Sequence, residues 1–160
     1  MAVRICFVCL GNICRSPTAE AAMRHLVDSE GLAHAFHLDS AGTGAWHEGE
    51  PPDRRATATA KRRGVTLEGR ARRFDREDFS RFDYVIAMDQ NNYRHLQELA
   101  PTESDRRRVV LFRDFDPDGP RGAEVPDPYY GGQDGFEHVL DVCLSAARGL
   151  LHHVRKKHTL

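Results

Sequence analysis

The chain has 160 residues, 40% of them hydrophobic and 29% charged, which suits one ordinary domain that buries roughly 70% of its unfolded surface. Its 23 basic and 24 acidic residues leave a formal charge of −1, so no overall field draws it to nucleic acid or to anionic lipid. No apolar run approaches the length of a membrane span, and four cysteines are too few for a disulfide scaffold, so a reducing, cytoplasmic setting is expected.

Met1 to Leu10 is apolar but short and leads into Gly11-Asn12, without the charged start, long apolar stretch and cleavage site of a signal peptide. Val3 to Cys9 reads as a buried strand. Ser16 and Pro17 then supply an N-cap and a first helical residue before Ala19, Ala22, Met23, Leu26 and Val27, which recur at helical spacing. Gly31 is a natural stop, and Phe36 to Ser40 reads as a second strand ahead of the turn Gly42-Thr43-Gly44.

Asp53 follows two prolines as the N-cap of a helix that runs through Ala56 and Ala60 to Gly64. Tyr84 to Met88 is a third buried strand. Asp89 caps a helix carrying Tyr93, Leu96 and Leu99 and ending at Pro101, and Val109 to Phe112 is a fourth strand. From Asp134 onward, Phe136, Val139, Leu140, Cys143, Ala147, Leu150, Leu151 and Val154 mark a long amphipathic final helix. Lys156 to Leu160 reads as an unconstrained tail. The charge runs Lys61 to Arg63, Arg70 to Arg73 and Arg106 to Arg108 read as solvated faces.

Strands that alternate with helices predict an α/β fold: a single-domain, flavodoxin-like three-layer sandwich over residues 1–160. Its four-stranded parallel sheet has the order 2-1-3-4, with helices on both faces. In that order the loop after the first strand lies at the switch point where such sheets bind ligands. The irregular stretch from Arg113 to Gly132 has eight Gly or Pro residues and is the candidate functional loop.

Cys9-Leu10-Gly11-Asn12-Ile13-Cys14-Arg15-Ser16-Pro17 joins the end of a strand to the start of a helix, a location that suits an anion. Amides of the turn and the positive end of the helix dipole can hold a phosphate, with Leu10, Gly11, Asn12, Ile13, Cys14 and Arg15 as the binding residues. Gly11 permits close approach, and Asn12 tolerates a left-handed backbone. The charge that welcomes phosphate also stabilises a Cys9 thiolate. Arg15 offers a planar fork for two phosphate oxygens, and the Ser16 hydroxyl can donate to the sulfur.

A bare Cys-x5-Arg carries little information, but the nine-residue string in strand-turn-helix context is specific. It resembles the signature Cys-x-Gly-Asn-x-Cys-Arg-Ser-Pro of the low-molecular-weight protein tyrosine phosphatases, and the resemblance covers nearly the whole chain. The resemblance implies that Cys9 and Arg15 are catalytic, and that the general acid is Asp127 in Pro126-Asp127-Pro128-Tyr129-Tyr130. Without the resemblance, Pro-Asp-Pro reads as a surface turn. It further implies that Ser40 hydrogen-bonds Asn12, that Asp89 supports the loop, and that Trp46, Tyr129 and Tyr130 wall a crevice for a phenyl ring, with Ile13 and Leu10 on its rim. One departure is Arg63-Gly64, where many eukaryotic relatives carry a histidine before the glycine.

The implied activity is hydrolysis of phosphotyrosine in protein substrates and of small aryl phosphates through a cysteinyl-phosphate, without metal or other cofactor, by a monomer or weak dimer. Three alternatives stand beside it: an arsenate reductase, a protein-arginine phosphatase of the same fold, and a phosphate-binding module without turnover. Arsenate reductases need further cysteines, yet none lies between Cys14 and Cys143. Arginine phosphatases carry a threonine where this chain has Ile13. A zinc or dithiol role for Cys6 and Cys9 fails because residues three apart on a strand face opposite sides, about 10 Å apart. Cys9 and Cys14 share one loop, so a reversible protective disulfide between them is expected.

Overall fold

The computed structural model describes residues 1–129 and 131–160. β1 (Val3–Cys9) is the inner strand of a four-stranded sheet with β2 (Phe36–Gly42), β3 (Tyr84–Ala87) and β4 (Val109–Leu111). All pairings are parallel and the order is β2-β1-β3-β4, as the alternation of strands and helices predicts.

β1 is apolar on both sides because both sides are covered. Ile5, Phe7 and Cys9 face a core shared with Met23 and Val27 of α1 (Arg15–Ser29) and Val139, Cys143 and Leu150 of α5 (Gln133–His158). Cys6 and Val8 face the opposite core, with Phe79, Phe82 and Leu96 of α3 (Gln90–Leu99). Cys6 and Cys9 are thereby separated by the sheet itself. α2 (Arg54–Arg62) packs Ala56 and Ala60 beside Phe136 of α5. A short α4 (Glu103–Arg107), with no buried residue, leads into β4.

β3 and β4 each end one residue before the expected Met88 and Phe112, and three other boundaries differ by more. α1 is capped at Cys14 rather than Ser16, because the Ser16 side chain is turned toward the Cys9 sulfur and is not available as a cap. β2 runs two residues past Ser40 to Gly42, whose register partner is Cys9. The expected tail is not free: α5 continues to His158, whose Nε2 lies 3.0 Å from the Tyr84 hydroxyl, and Lys157 sits over the Tyr84 ring. His153, itself exposed, lies against the rings of Phe115 and Tyr84. Among the described residues, no helix is long and apolar enough to cross a membrane.

Candidate active site

β1 delivers Cys9 to the carboxyl edge of the sheet, buried at 3% exposure, and the chain then wraps around the sulfur before α1 begins. The loop's carbonyls are tied to its surroundings. Those of Cys9, Leu10 and Ile13 accept from the amides of Thr43, Gly44 and Asp53, at 2.8, 3.0 and 2.8 Å. Asn12 adopts the left-handed conformation, φ 59°, which turns its amide back to the Cys9 sulfur at 3.3 Å.

The Asn12 side chain is the hub of the loop. Its amide nitrogen donates to Ser16 Oγ at 2.8 Å and to Ser40 Oγ on β2 at 3.0 Å, and its carbonyl oxygen accepts the Arg72 amide at 3.0 Å. Ser16 Oγ lies 3.0 Å from the Cys9 sulfur. Gly42 lets this edge of β2 approach, since a Cβ there would stand 2.8 Å from the Leu10 carbonyl oxygen.

Arg15 is 4% exposed. Its Nη1 donates to Asp89 Oδ2 at 2.7 Å and to the Val125 carbonyl at 3.2 Å, while Nη2 lies 3.6 Å from Asp127 Oδ2. Burial alone would lower its pKa, but the Cys9 sulfur, Asp89 and Asp127 more than offset this and raise it, so the guanidinium is a fixed positive charge. Asp89 does two things at once, because its other oxygen accepts the Asn92 amide at 2.7 Å and caps α3. Cys14 borders the same cavity at only 5% exposure, and burial, and after it the Asp53 carboxylate, pushes its thiol well above the usual range. The buried Cys143 thiol is raised by burial in the same direction. All four cysteines are free thiols.

These groups open on a cavity of about 300 Å³ lined on one side by Cys9, Leu10, Gly11, Ile13, Cys14 and Arg15. Trp46, His47, Asp127 and Tyr129 form its walls. The volume lies at the lower end of ordinary ligand pockets. Asp127 is half exposed, and its Oδ1 accepts the Tyr129 amide at 3.0 Å. Trp46 is 72% exposed, a freestanding wall. Tyr130 lies outside the described residues.

The structure thus brings Cys9, Leu10, Gly11, Asn12, Ile13, Cys14, Arg15, Ser16, Ser40, Asp89, Trp46, Asp127 and Tyr129 to one end of the sheet. It adds three groups that sequence reading missed: His47, the Val125 carbonyl and the Arg72 amide. His47 covers Gly11, where a Cβ would meet its ring at 2.9 Å, and leans toward the Tyr129 ring. Its only signal in the sequence is its place after Trp46. The other two are backbone groups, on which residue type is silent.

Comparison with known proteins identifies the family of the chain. The family model for low molecular weight phosphotyrosine protein phosphatase matches residues 4–160. A low molecular weight protein-tyrosine-phosphatase of Streptomyces coelicolor is 51% identical over 98% of this chain and 96% of its own. The crystal structure of a protein tyrosine phosphatase from Entamoeba histolytica superposes with a TM-score of 0.93 at 38% identity, covering 99% of this chain and 100% of that one. A drosophila arginine phosphatase superposes at 0.85 with 32% identity over 94% and 97% of the two chains. The chain belongs to the low-molecular-weight phosphotyrosine protein phosphatase family and is a phosphatase.

Proposed function

We propose that the protein hydrolyses phosphotyrosine in proteins, and small aryl phosphates, through a cysteinyl-phosphate. The observation that carries this reading is that a sulfur, a buried arginine and a carboxyl group face one cavity with aromatic walls. Cys9 Sγ attacks phosphorus in line with the ester bond. The S–P bond forms as the P–O bond to the aryl group breaks, and Asp127 gives its proton to the departing oxygen. Arg15 and the loop amides hold the equatorial oxygens as charge redistributes.

In the second step Asp127, now a carboxylate, takes a proton from water as that water attacks phosphorus. The S–P bond breaks, inorganic phosphate leaves, and the Cys9 thiolate is restored. The Ser16 hydroxyl accepts from Asn12 and lies 3.0 Å from the sulfur and 3.4 Å from the Ala41 carbonyl, so it stands where its proton can be given to the sulfur as the S–P bond breaks. The reaction as written uses no metal, and the substrate partner is a phosphoprotein.

The ester reading is favoured over a phosphoarginine one by the cavity's apolar and aromatic lining, Ile13, Leu10, Trp46 and Tyr129, which suits a flat phenyl ring. Hydrolysis of p-nitrophenyl phosphate with chelator and thiol reductant present is the test. Wild type and Cys143→Ser turn over, Cys9→Ser is inactive, and Asp127→Ala is slowed roughly 10²-fold or more. A wild type that binds phosphate without releasing it from the ester sinks the reading. Faster release from a phosphoarginine peptide than from a phosphotyrosine peptide moves the substrate to the other class.

A further inference from the structure

Arg55 is the second residue of α2, and no step of the proposed reaction uses it. Its guanidinium nonetheless joins three segments that meet beside the cavity. Nε lies 3.3 Å from Asp53 Oδ1, and Nη2 lies 3.2 Å from Asp53 Oδ2. The same Nη2 donates to the Tyr129 carbonyl at 2.8 Å. Its carbon lies 5.5 Å from the centre of the Tyr129 ring and 4.6 Å from that of Phe136 at the start of α5, within the range of cation–π attraction.

Both ends of this junction are anchored at the site. The Asp53 amide donates to the Ile13 carbonyl of the phosphate loop at 2.8 Å, and the Asp53 carboxylate caps α2. The Tyr129 amide donates to Asp127 Oδ1 at 3.0 Å. A continuous set of contacts therefore runs from Ile13 through Asp53, Arg55 and Tyr129 to the carboxyl group of Asp127.

An exposed arginine–carboxylate pair contributes little to stability, so the arrangement has small value as a brace. What it fixes is the spacing between the loop that surrounds the sulfur and the loop that carries the carboxyl. Only a planar fork can donate to a carboxylate and a carbonyl while stacking on two rings, and a misplacement of about 1 Å at a reacting group costs rate steeply. We propose that Arg55 is a positioning residue that latches the Asp127-bearing loop to the phosphate loop, holding the carboxyl where the departing oxygen needs its proton. This inference rests on the reading of Asp127 as the general acid.

The test compares kcat/KM, which ends at formation of the cysteinyl-phosphate and so leaves out the second step that both esters share, on p-nitrophenyl phosphate, whose phenolate needs the proton less, and on phenyl phosphate, whose phenolate needs it more. Arg55→Ala is expected to lose about tenfold more on phenyl phosphate than on the nitrophenyl ester. Arg55→Lys, the milder variant that keeps the charge and loses the fork, is read in the same way and shows the same selectivity. Neither substitution lowers kcat/KM further in an Asp127→Ala background. An equal loss on both esters, no loss on either, or a further loss in the Asp127→Ala background overturns the latch. If Asp127→Ala alone shows no selectivity between the esters, the acid assignment falls and the latch with it, a result visible without any Arg55 variant.

Discussion

Trp46 owes its place to a missing side chain. A Cβ at Gly44 would stand 1.7 Å from Cζ3 of the indole, so Gly44→Ala forces the ring off its seat. An aromatic contact contributes about 0.5–1.5 kcal/mol beyond burial, so KM for p-nitrophenyl phosphate is expected to rise about two- to tenfold. Competitive inhibition by inorganic phosphate, which has no ring, stays unchanged; a parallel loss of phosphate affinity would place the damage in the loop instead. Asp116 is a residue of another kind, buried beneath the stretch after β4. It accepts from Ser145 Oγ at 2.6 Å, from the Asp118 amide at 2.9 Å and from Arg113 Nε at 3.3 Å. Burial alone would raise its pKa, but these donors outweigh it and hold the carboxyl below its usual range. A carboxyl with a lowered folded pKa contributes stability above its unfolded pKa of about 3.9, and loses it as pH falls through the folded value. Asp116→Asn should therefore cost about 1–3 kcal/mol at neutral pH. Urea unfolding at falling pH should show the gap to wild type closing below about pH 4.

At the scale of elements, Gly149 is the informative position in α5. An alanine is worth about 1 kcal/mol more than glycine inside a helix, yet a Cβ at 149 would stand 1.6 Å from the Phe115 carbonyl oxygen. Backbone cannot swing aside as an indole can. Gly149→Ala is expected to lower stability by about 1–3 kcal/mol, read as a lower urea midpoint, and an increase would show that the turn at residues 112–115 yields freely. The elements that sequence reading found are those with a buried apolar signal, β1, β3 and α5 above all. α4 escaped it because Glu103 to Arg107 buries nothing, and the last turn of α5 because Lys156-Lys157 looks solvated while the contact that holds it, His158 to Tyr84, spans 74 residues. The same division runs through the site. The stretch from Cys9 to Pro17 was legible because its chemistry is contiguous, whereas Asp127 needed a family resemblance, and Arg55 and His47 reach the site through Tyr129, more than 70 residues further along the chain.

For the molecule as a whole, the sheet order sets which side chains can meet. Cys9 ends an inner strand, so support reaches the loop that follows it from both sides, Ser40 of β2 to Asn12 and Asp89, just after β3, to Arg15. The carboxyl of Asp127 arrives from beyond β4, and α1, which carries Arg15, packs on α5. The first helix made therefore rests on the last. During synthesis the N-terminal segment leaves the ribosome with its sulfur and its arginine but without the surface that backs them. The loop that carries Asp127 follows 118 residues after Cys9, and α5 later still. A nascent chain held on the ribosome before residue 133 has no α5, so Met23 and Val27 of α1 and the strand that ends at Cys9 wait without the layer that covers them.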